Sequence, residues 1–283
     1  MGGRGLIAGD GAAEDAAPDG TPRVAPRSVH GMARLLQAAT RERWRVRVEH
    51  DAWSPLDAPA DLAVSTRLFD AVRDPSPANQ VVTVGAGAPI EAVGLQAPGT
   101  GRTVGSALAV GADRVRDEVL GLTAVTGDGR ILTVGGRVLK NVAGYDLAKL
   151  FIGGFDAFGV IVEAHLRLRD RRPLHDNPTG SVVLSVGALR TQHDLAITLL
   201  AAELPPHQTL TTQDGVRWSG TADAAALRRA RAACARHHMP LTLERAPWAV
   251  RSTVGVHGSF RDGVAPLVDG LRRSFDPAGV FVV

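Results

Sequence analysis

Apolar and polar positions recur with two different periods along this chain, and the changes of period mark its elements. Val29, Met32, Leu35, Leu36 and Ala39 fall at helical spacing behind Ser28, which predicts an amphipathic helix with Ser28 as its N-cap. Trp44 to Val48, Asp61 to Ser65 and Gln80 to Val84 are apolar runs of strand length, the last one running into Gly85-Ala-Gly-Ala-Pro89. Val119 to Thr126 and Arg130 to Val134 flank Gly127-Asp128-Gly129, a strong hairpin signal because Asp-Gly accepts the positive backbone angles of a tight turn. A short helix is predicted across Tyr145 to Phe151. From Val160 to Arg169 the alternation is strict. Val160, Val162, Ala164, Leu166 and Leu168 face one way; Ile161, Glu163, His165, Arg167 and Arg169 face the other, as in a half-buried strand of an antiparallel or mixed sheet.

Arg171 to Pro178 is polar and proline-containing, the composition of a domain boundary. Beyond it the order of elements changes. Ser181 to Val186 predicts a strand, Leu189 to Glu203 a helix, Thr209 to Gln213 a strand, and Asp214-Gly215 a turn into a strand through Ser219. Asp223 to His237 predicts a helix and Leu241 to Glu244 a strand, which completes a split β-α-β-β-α-β unit. A last helix, Val264 to Phe275, precedes the turn Asp276-Pro-Ala-Gly279. Residues 1 to about 25, rich in Ala, Gly, Asp and Pro, read as a disordered tail. The fold class is therefore α+β, with a smaller α/β sandwich after it.

Composition narrows the function classes. A chain of 283 residues can bury two ordinary cores, and 45% hydrophobic with 22% charged residues is the balance of a soluble globular protein. The net charge is only +3 and the arginines are scattered, with Lys140 and Lys149 as the sole lysines, which argues against nucleic acid as a partner. Cys234 is the only cysteine, so the chain has no internal disulfide and cannot by itself ligate an iron–sulfur cluster through several thiolates. No apolar run approaches the roughly 20 residues that span a bilayer, and the start lacks a secretory apolar segment. The expected setting is the cytoplasm, with at most a peripheral membrane contact. Gly85-x-Gly lacks the third glycine of a dinucleotide fingerprint and is followed by Pro89. His237 and His238 are adjacent on a predicted helix and diverge, so they predict no metal site. No pair of acidic residues has a spacing from which acid–base work can be argued, and no catalytic residue is assigned.

One segment asks for more than composition. Gly135-Gly-Arg-Val-Leu-Lys-Asn-Val-Ala-Gly-Tyr-Asp-Leu-Ala-Lys-Leu150 resembles the Lys-Asn-Val-Ala-Gly-Tyr-Asp-Leu signature of the E-type, FAD-binding subunits of glycolate oxidase, within the FAD-linked oxidases that include vanillyl-alcohol oxidase and D-lactate dehydrogenases. Thr103-Val-Gly-Ser-Ala-Leu-Ala109 is similar to that group's Thr-Val-Gly-Gly stretch, and Arg116-Asp-Glu-Val-Leu-Gly121 to its Arg-Asp-x-Val-Leu-Gly. Phe151-Ile-Gly-Gly-Phe-Asp-Ala-Phe-Gly-Val-Ile161 resembles a Gly-Ser-x-Gly-Thr-Leu-Gly-Val-Ile element, and Phe275 to Phe281 a common C-terminal turn. The resemblance implies a PCMH-type FAD-binding domain of two α+β subdomains over 26–172, shortened around 90–102, followed by a ferredoxin-like cap domain over 173–283. It implies non-covalent FAD, contacted by Thr103, Val104, Gly105, Ser106, Arg116, Asp117, Gly159, Val160 and Ile161. It also implies a small 2-hydroxy acid substrate, a companion catalytic flavin subunit and a separate iron–sulfur subunit. Thr103 can cap a helix whose N–H groups, past Gly105 and Ser106, would meet a phosphate. Gly159 would let the chain pass a flat ring, with the backbone of Val160 and Ile161 at its edge. Lys140, Asn141 and Tyr145 read either as support for the flavin or as helix capping and surface groups.

The chain also departs from that pattern. The first phosphate loop of the group is glycine-rich, whereas here Trp44-Arg-Val-Arg-Val48 runs into Glu49-His-Asp-Ala-Trp53 without a glycine. Glu49 and Asp51 would set negative charge beside two phosphates. His50 stands where the first glycine falls; it reads as a surface histidine rather than a covalent flavin attachment. Only Ile90 to Arg102, with the turn Pro98-Gly99, replaces a longer helix and strand, and the Ala109 to Arg116 crossing is short. Asp156 stands where glycine is usual, and the chain ends at Val283 without the Asn-Pro-Gly-Arg that often follows the last turn. Two readings result: a flavin-binding oxidoreductase subunit, or a non-catalytic, flavin-poor assembly subunit that retains the fold.

Overall fold

The computed structural model describes residues 12–50, 54, 58–76, 80–93, 102–111, 115–137, 146–167, 180–212, 214–258 and 263–282. The chain divides into two compact units, Met1–Pro173 together with Pro266–Val283, and Leu174–Ala265.

The first unit begins with β1 (Ala13–Ala16), β2 (Pro22–Ala25), α1 (Val29–Glu42), β3 (Val46–Glu49) and β4 (Leu62–Ser65), whose strands form one sheet in the order β1-β2-β4-β3. The Ser28 hydroxyl accepts the Gly31 N–H at 3.0 Å, as a capping residue should, and α1 ends at Arg43 in the left-handed region. Met32, Leu35, Leu36 and Ala39 of α1 are buried against Val46, Val48, Leu62 and Val64. β2 and β3 both pair in parallel with β4, and β1 folds back antiparallel on β2.

The hairpin β1–β2 occupies residues expected to be a disordered tail. Two observations explain the difference: Val24 and Ala25 are buried, and Arg23 holds Asp15 through two hydrogen bonds of 2.7 and 2.8 Å. The Arg23 guanidinium, aided by Arg67, draws the Asp15 carboxyl down to about 2 from its ordinary 3.8. A carboxyl lowered in the folded state stabilises fully above its unfolded value and loses that contribution as pH falls through the folded one. We expect amide-exchange protection of β1 to fade between pH 3.8 and about 2. In Asp15→Asn the protection should be lower at neutral pH and insensitive over that window; equal pH profiles for the two proteins would refute the assignment.

A second sheet follows: β5 (Val72–Ser76), β6 (Val81–Gly85), α2 (Val104–Val110), α3 (Val115–Glu118), β7 (Val119–Val125), β8 (Ile131–Gly135), α4 (Ala148–Phe151) and β9 (Val160–Arg167). Its strands are antiparallel in the order β5-β6-β9-β7-β8. β5 escaped the sequence pattern because it carries Pro75, which a strand tolerates at an edge. The predicted hairpin of β7 and β8 turns at Gly129, φ 80°.

β9 keeps the expected alternation only over its second half. The register against β7 slips between Thr123/Glu163 and Ala124/Ile161, a bulge that rotates the strand. Ile161, expected beside Glu163 and His165, instead joins Ala164 and Leu166 in the core of this sheet; Val160 and Val162 turn to the core beneath α1.

The second unit contains β10 (Val182–Gly187), α5 (His193–Glu203), β11 (Gln208–Thr211), β12 (Gly215–Gly220), α6 (Ala224–Ala235), β13 (Leu241–Arg245) and α7 (Trp248–Val254). Its sheet order, β11-β12-β10-β13, is the split β-α-β-β-α-β arrangement predicted. Leu184, Val186, Trp218 and Leu243 of the sheet pack on Leu200 of α5 and on Leu227 and Cys234 of α6. Burial pushes the Cys234 thiol up to about 11, so at neutral pH it is a packed thiol rather than a nucleophile.

α8 (Val264–Phe275) leads back into the first unit. A single domain over 173–283 was expected, but Pro266–Val283 belongs with the N-terminal unit. Phe275 meets Phe151 edge-on at 5.6 Å and Phe158 at 6.2 Å. The buried Asp276 carboxylate accepts the N–H groups of Val280 and Phe281 at 2.8 and 2.9 Å, and Phe281 bridges in parallel to Val46. Pattern alone could not show this return, because its partners lie more than 100 residues earlier in the chain.

Candidate functional site

Four of the residues implied as FAD contacts, Thr103 to Ser106, form the start of α2. Thr103 caps the helix through a capping box: Ser106 N–H donates to Thr103 Oγ1 at 3.3 Å, and Thr103 N–H donates to Ser106 Oγ at 3.2 Å. Val104 N–H donates to the Ala88 carbonyl at 2.9 Å, and Gly105 N–H to the Ala86 carbonyl at 2.7 Å. All four donors are thus engaged within the protein. A helix start attracts an anion through N–H groups that lack other acceptors, so the physical reason for expecting a phosphate at Gly105 and Ser106 does not apply to this geometry. α2 is moreover only seven residues long and buried throughout.

His50 follows directly on β3 and is fully buried, which corrects its reading as a surface histidine. Its Nδ1 lies 3.1 Å from Thr66 Oγ1 and its Nε2 lies 2.9 Å from Asp156 Oδ2. A carboxylate only accepts, so Nε2 carries a proton toward Asp156. The ring rests on the face of Gly105: a side chain there would clash with His50 Nδ1 and stand 2.9 Å from its Cε1 and 3.0 Å from the Ala86 carbonyl. Glycine at 105 leaves room for the imidazole.

Asp156 sits in the turn between α4 and β9. Phe155 and Asp156 are consecutive non-glycine residues in the left-handed region, φ 54° and 62°, a conformation that costs roughly 1–2 kcal/mol per residue and persists where surroundings enforce it. The enforcement is visible. Gly153 N–H donates to Leu108 O at 2.8 Å and Phe155 N–H to Ala109 O at 2.9 Å, tying the turn to α2, and His50 holds the Asp156 side chain. Asp156 Oδ1 is buried without a hydrogen-bond partner among the described residues, and Asp156 lines a small pocket with Arg47, Ser54 and Phe155.

Glu49 does not project toward a ligand. It is 4% exposed and paired with Arg47 at 2.9 Å and Arg23 at 3.3 Å, and Arg47 also bonds Asp19 at 2.7 Å. The charge expected to oppose a phosphate is neutralised inside the sheet.

The remaining expected contacts lie elsewhere. Gly159 has φ 151°, and a Cβ there would approach the Val125 carbonyl to 2.8 Å, so close strand packing already requires glycine. Val160 and Ile161 pair with Val125 and Ala124 in the β7–β9 ladder, their side chains buried. Arg116 and Asp117 are on α3, where Lys149 donates to the Arg116 carbonyl. Lys140, Asn141 and Tyr145, like Asp51 and the turn Pro98-Gly99, lie outside the described residues. Sequence reasoning singled out both His50 and Asp156 as departures from glycine without joining them. They are 106 residues apart, and only the fold makes them a pair.

No family model matches the chain. Part of it is 47% identical over 57 residues to glycolate oxidase subunit GlcE of Escherichia coli (strain K12), covering 20% of this chain and 16% of that protein. It is 32% identical over 136 residues to a D-2-hydroxyglutarate dehydrogenase of Xanthomonas citri pv. viticola, 41% of this chain and 29% of that one. A D-lactate dehydrogenase of Archaeoglobus fulgidus matches at 42% over 74 residues, 23% and 17% of the two chains. The matches thus span well under two thirds of each relative's length. Among solved structures, the cholesterol oxidase of B. sterolicum superposes with TM-score 0.45 at 17% identity over 71% of this chain and 42% of that one. An alkyldihydroxyacetonephosphate synthase superposes with TM-score 0.42 at 15% identity over 64% and 37%. Parts of this chain are thus similar in sequence to glycolate oxidase subunits and to D-lactate and D-2-hydroxyglutarate dehydrogenases.

Proposed function

We propose that this chain is a subunit of an FAD-linked oxidoreductase of the glycolate oxidase type, taking part in the oxidation of a 2-hydroxy acid such as glycolate. The observation that carries the reading is a shared chemistry: glycolate, D-lactate and D-2-hydroxyglutarate, for which the relatives are named, all bear a hydroxyl beside a carboxylate. FAD, non-covalently held in the complex, supplies the hydride acceptor for such a substrate. The Thr103–Ser106 turn of this chain does not fit the FAD diphosphate, because its donors are engaged and His50 covers it. No step is therefore derived through a flavin in this chain. A companion flavin subunit and an iron–sulfur subunit complete the assembly, in the cytoplasm or peripherally at its membrane; among the described residues no helix is long and apolar enough to cross one.

A second reading is favoured by the buried His50–Asp156 pair: within such a complex the chain is a non-catalytic, flavin-poor assembly subunit. The experiment for the functional reading does not depend on which of these holds. Removing the gene from the source cells should abolish glycolate- or lactate-dependent dye reduction in extracts, and the tagged chain should co-isolate a flavoprotein and an iron–sulfur protein. Unchanged dye reduction with glycolate, D-lactate and D-2-hydroxyglutarate, together with isolation of the chain alone, would sink it.

A further inference from the structure

We propose that His50 and Asp156 form a lock that fills the place of the flavin diphosphate and bars it by charge, so that this chain holds no FAD of its own. The inference rests on the family reading, which sets the diphosphate between the segment after β3 and the Thr103–Ser106 turn.

Three independent features of the structure converge on it. The first is volume. The His50 ring is fully buried and packed onto Gly105 between Thr66 and Asp156, in the space a phosphate would need at the start of α2. The second is the loss of donors, since the N–H groups of Thr103, Val104, Gly105 and Ser106 all serve internal acceptors. The third is charge. Asp156 is buried, and its Oδ1 has no hydrogen-bond partner among the described residues, so a diphosphate entering beside His50 would meet a carboxylate in a medium that screens it poorly.

The backbone supports a paired exchange rather than two separate losses. His50 and Asp156 are both departures from glycine within the family pattern, and in the fold they touch. Asp156 keeps a left-handed conformation that glycine would adopt without strain. Its side chain is what the strained position contributes, and the use made of it is to hold His50.

The test uses the full chain and FAD itself as the probe, read by flavin fluorescence and by thermal shift rather than by turnover. Wild-type protein should purify without flavin absorbance and show no saturable response to FAD. His50→Gly combined with Asp156→Gly should bind FAD at least about tenfold more tightly. Asp156→Asn keeps the volume, tolerates the left-handed backbone and still accepts from His50; it should fold even if the double glycine variant does not, and should bind more tightly than wild type by removing the charge. FAD at one per chain in the wild type overturns the proposal. Equal FAD response in wild type and Asp156→Asn, with no gain in a folded double variant, overturns it as well. The family reading fails separately, through the loss of co-isolated subunits and of the 2-hydroxy-acid phenotype, neither of which depends on flavin in this chain.

Discussion

Replacing Arg47 by methionine should lower the stability of the N-terminal unit by about 3–5 kcal/mol, the cost of leaving a buried charge without its partner. Arg47 is 2% exposed in the middle of β3 and forms the hub of a buried ionic cluster. It donates to Glu49 at 2.9 and 3.2 Å, to Asp19 at 2.7 and 3.2 Å and to the Ala58 carbonyl at 3.0 Å. Without it, the buried Glu49 carboxylate keeps one bond of 3.3 Å from Arg23. The cluster also holds the end of the strand from which His50 enters the site. Because ion pairs of this kind return little net energy, Arg47→Met with Glu49→Leu should recover most of the loss. Urea unfolding of variants that keep only Trp44 or only Trp218 of the four tryptophans separates the responses of the two units. A single variant within about 1 kcal/mol of wild type would remove the cluster from what holds the sheet together.

The second large effect is expected at Phe151. Its ring is 2% exposed, lies among Leu108, Leu122, Ile161 and Leu166 in the core of the second sheet, and receives Phe275 edge-on at 5.6 Å. Phe151→Ala should cost about 3–5 kcal/mol through lost burial and the cavity left behind. It should also loosen α8, whose Phe275 would keep only Phe158 as an aromatic neighbour among the described residues. Exchange protection in Val264–Phe275 should therefore fall further than in α1, which packs in a different cluster. Phe151→Leu should restore more than half of the loss, since it refills most of the volume. Equal loss of protection in α1 and α8 would show that the C-terminal segment has no separate dependence on this ring.

Between these elements, what could be read in the chain and what could not divides along a physical line. The start and apolar face of α1 were legible because its cap and its apolar stripe are local: Ser28 bonds a backbone group three positions away. The β7–β8 hairpin and the split unit from β10 to β13 were legible for the same reason, since turn chemistry and period act over a few residues. The cap at Thr103 belongs here too, whereas Ser106, read as leaving room for a phosphate, instead completes a capping box. β1 and β2 were hidden, because the arginines that hold them arrive from β2, β3 and the Arg67 turn.

The candidate site shows the line most sharply. The sequence alone identified the relatives' motifs and the two departures from glycine, at His50 and Asp156. It could not state what those residues do, because a side chain's role depends on which groups meet it after residues 106 apart are brought to 2.9 Å. Nor could it show that the amides at the start of α2 are engaged by Ala86 and Ala88, or that Pro266–Val283 returns to the first unit. Local period and turn chemistry set the elements. Burial, hydrogen-bond partnership and the position of charge are properties of the packed chain, and only tertiary structure assigned them.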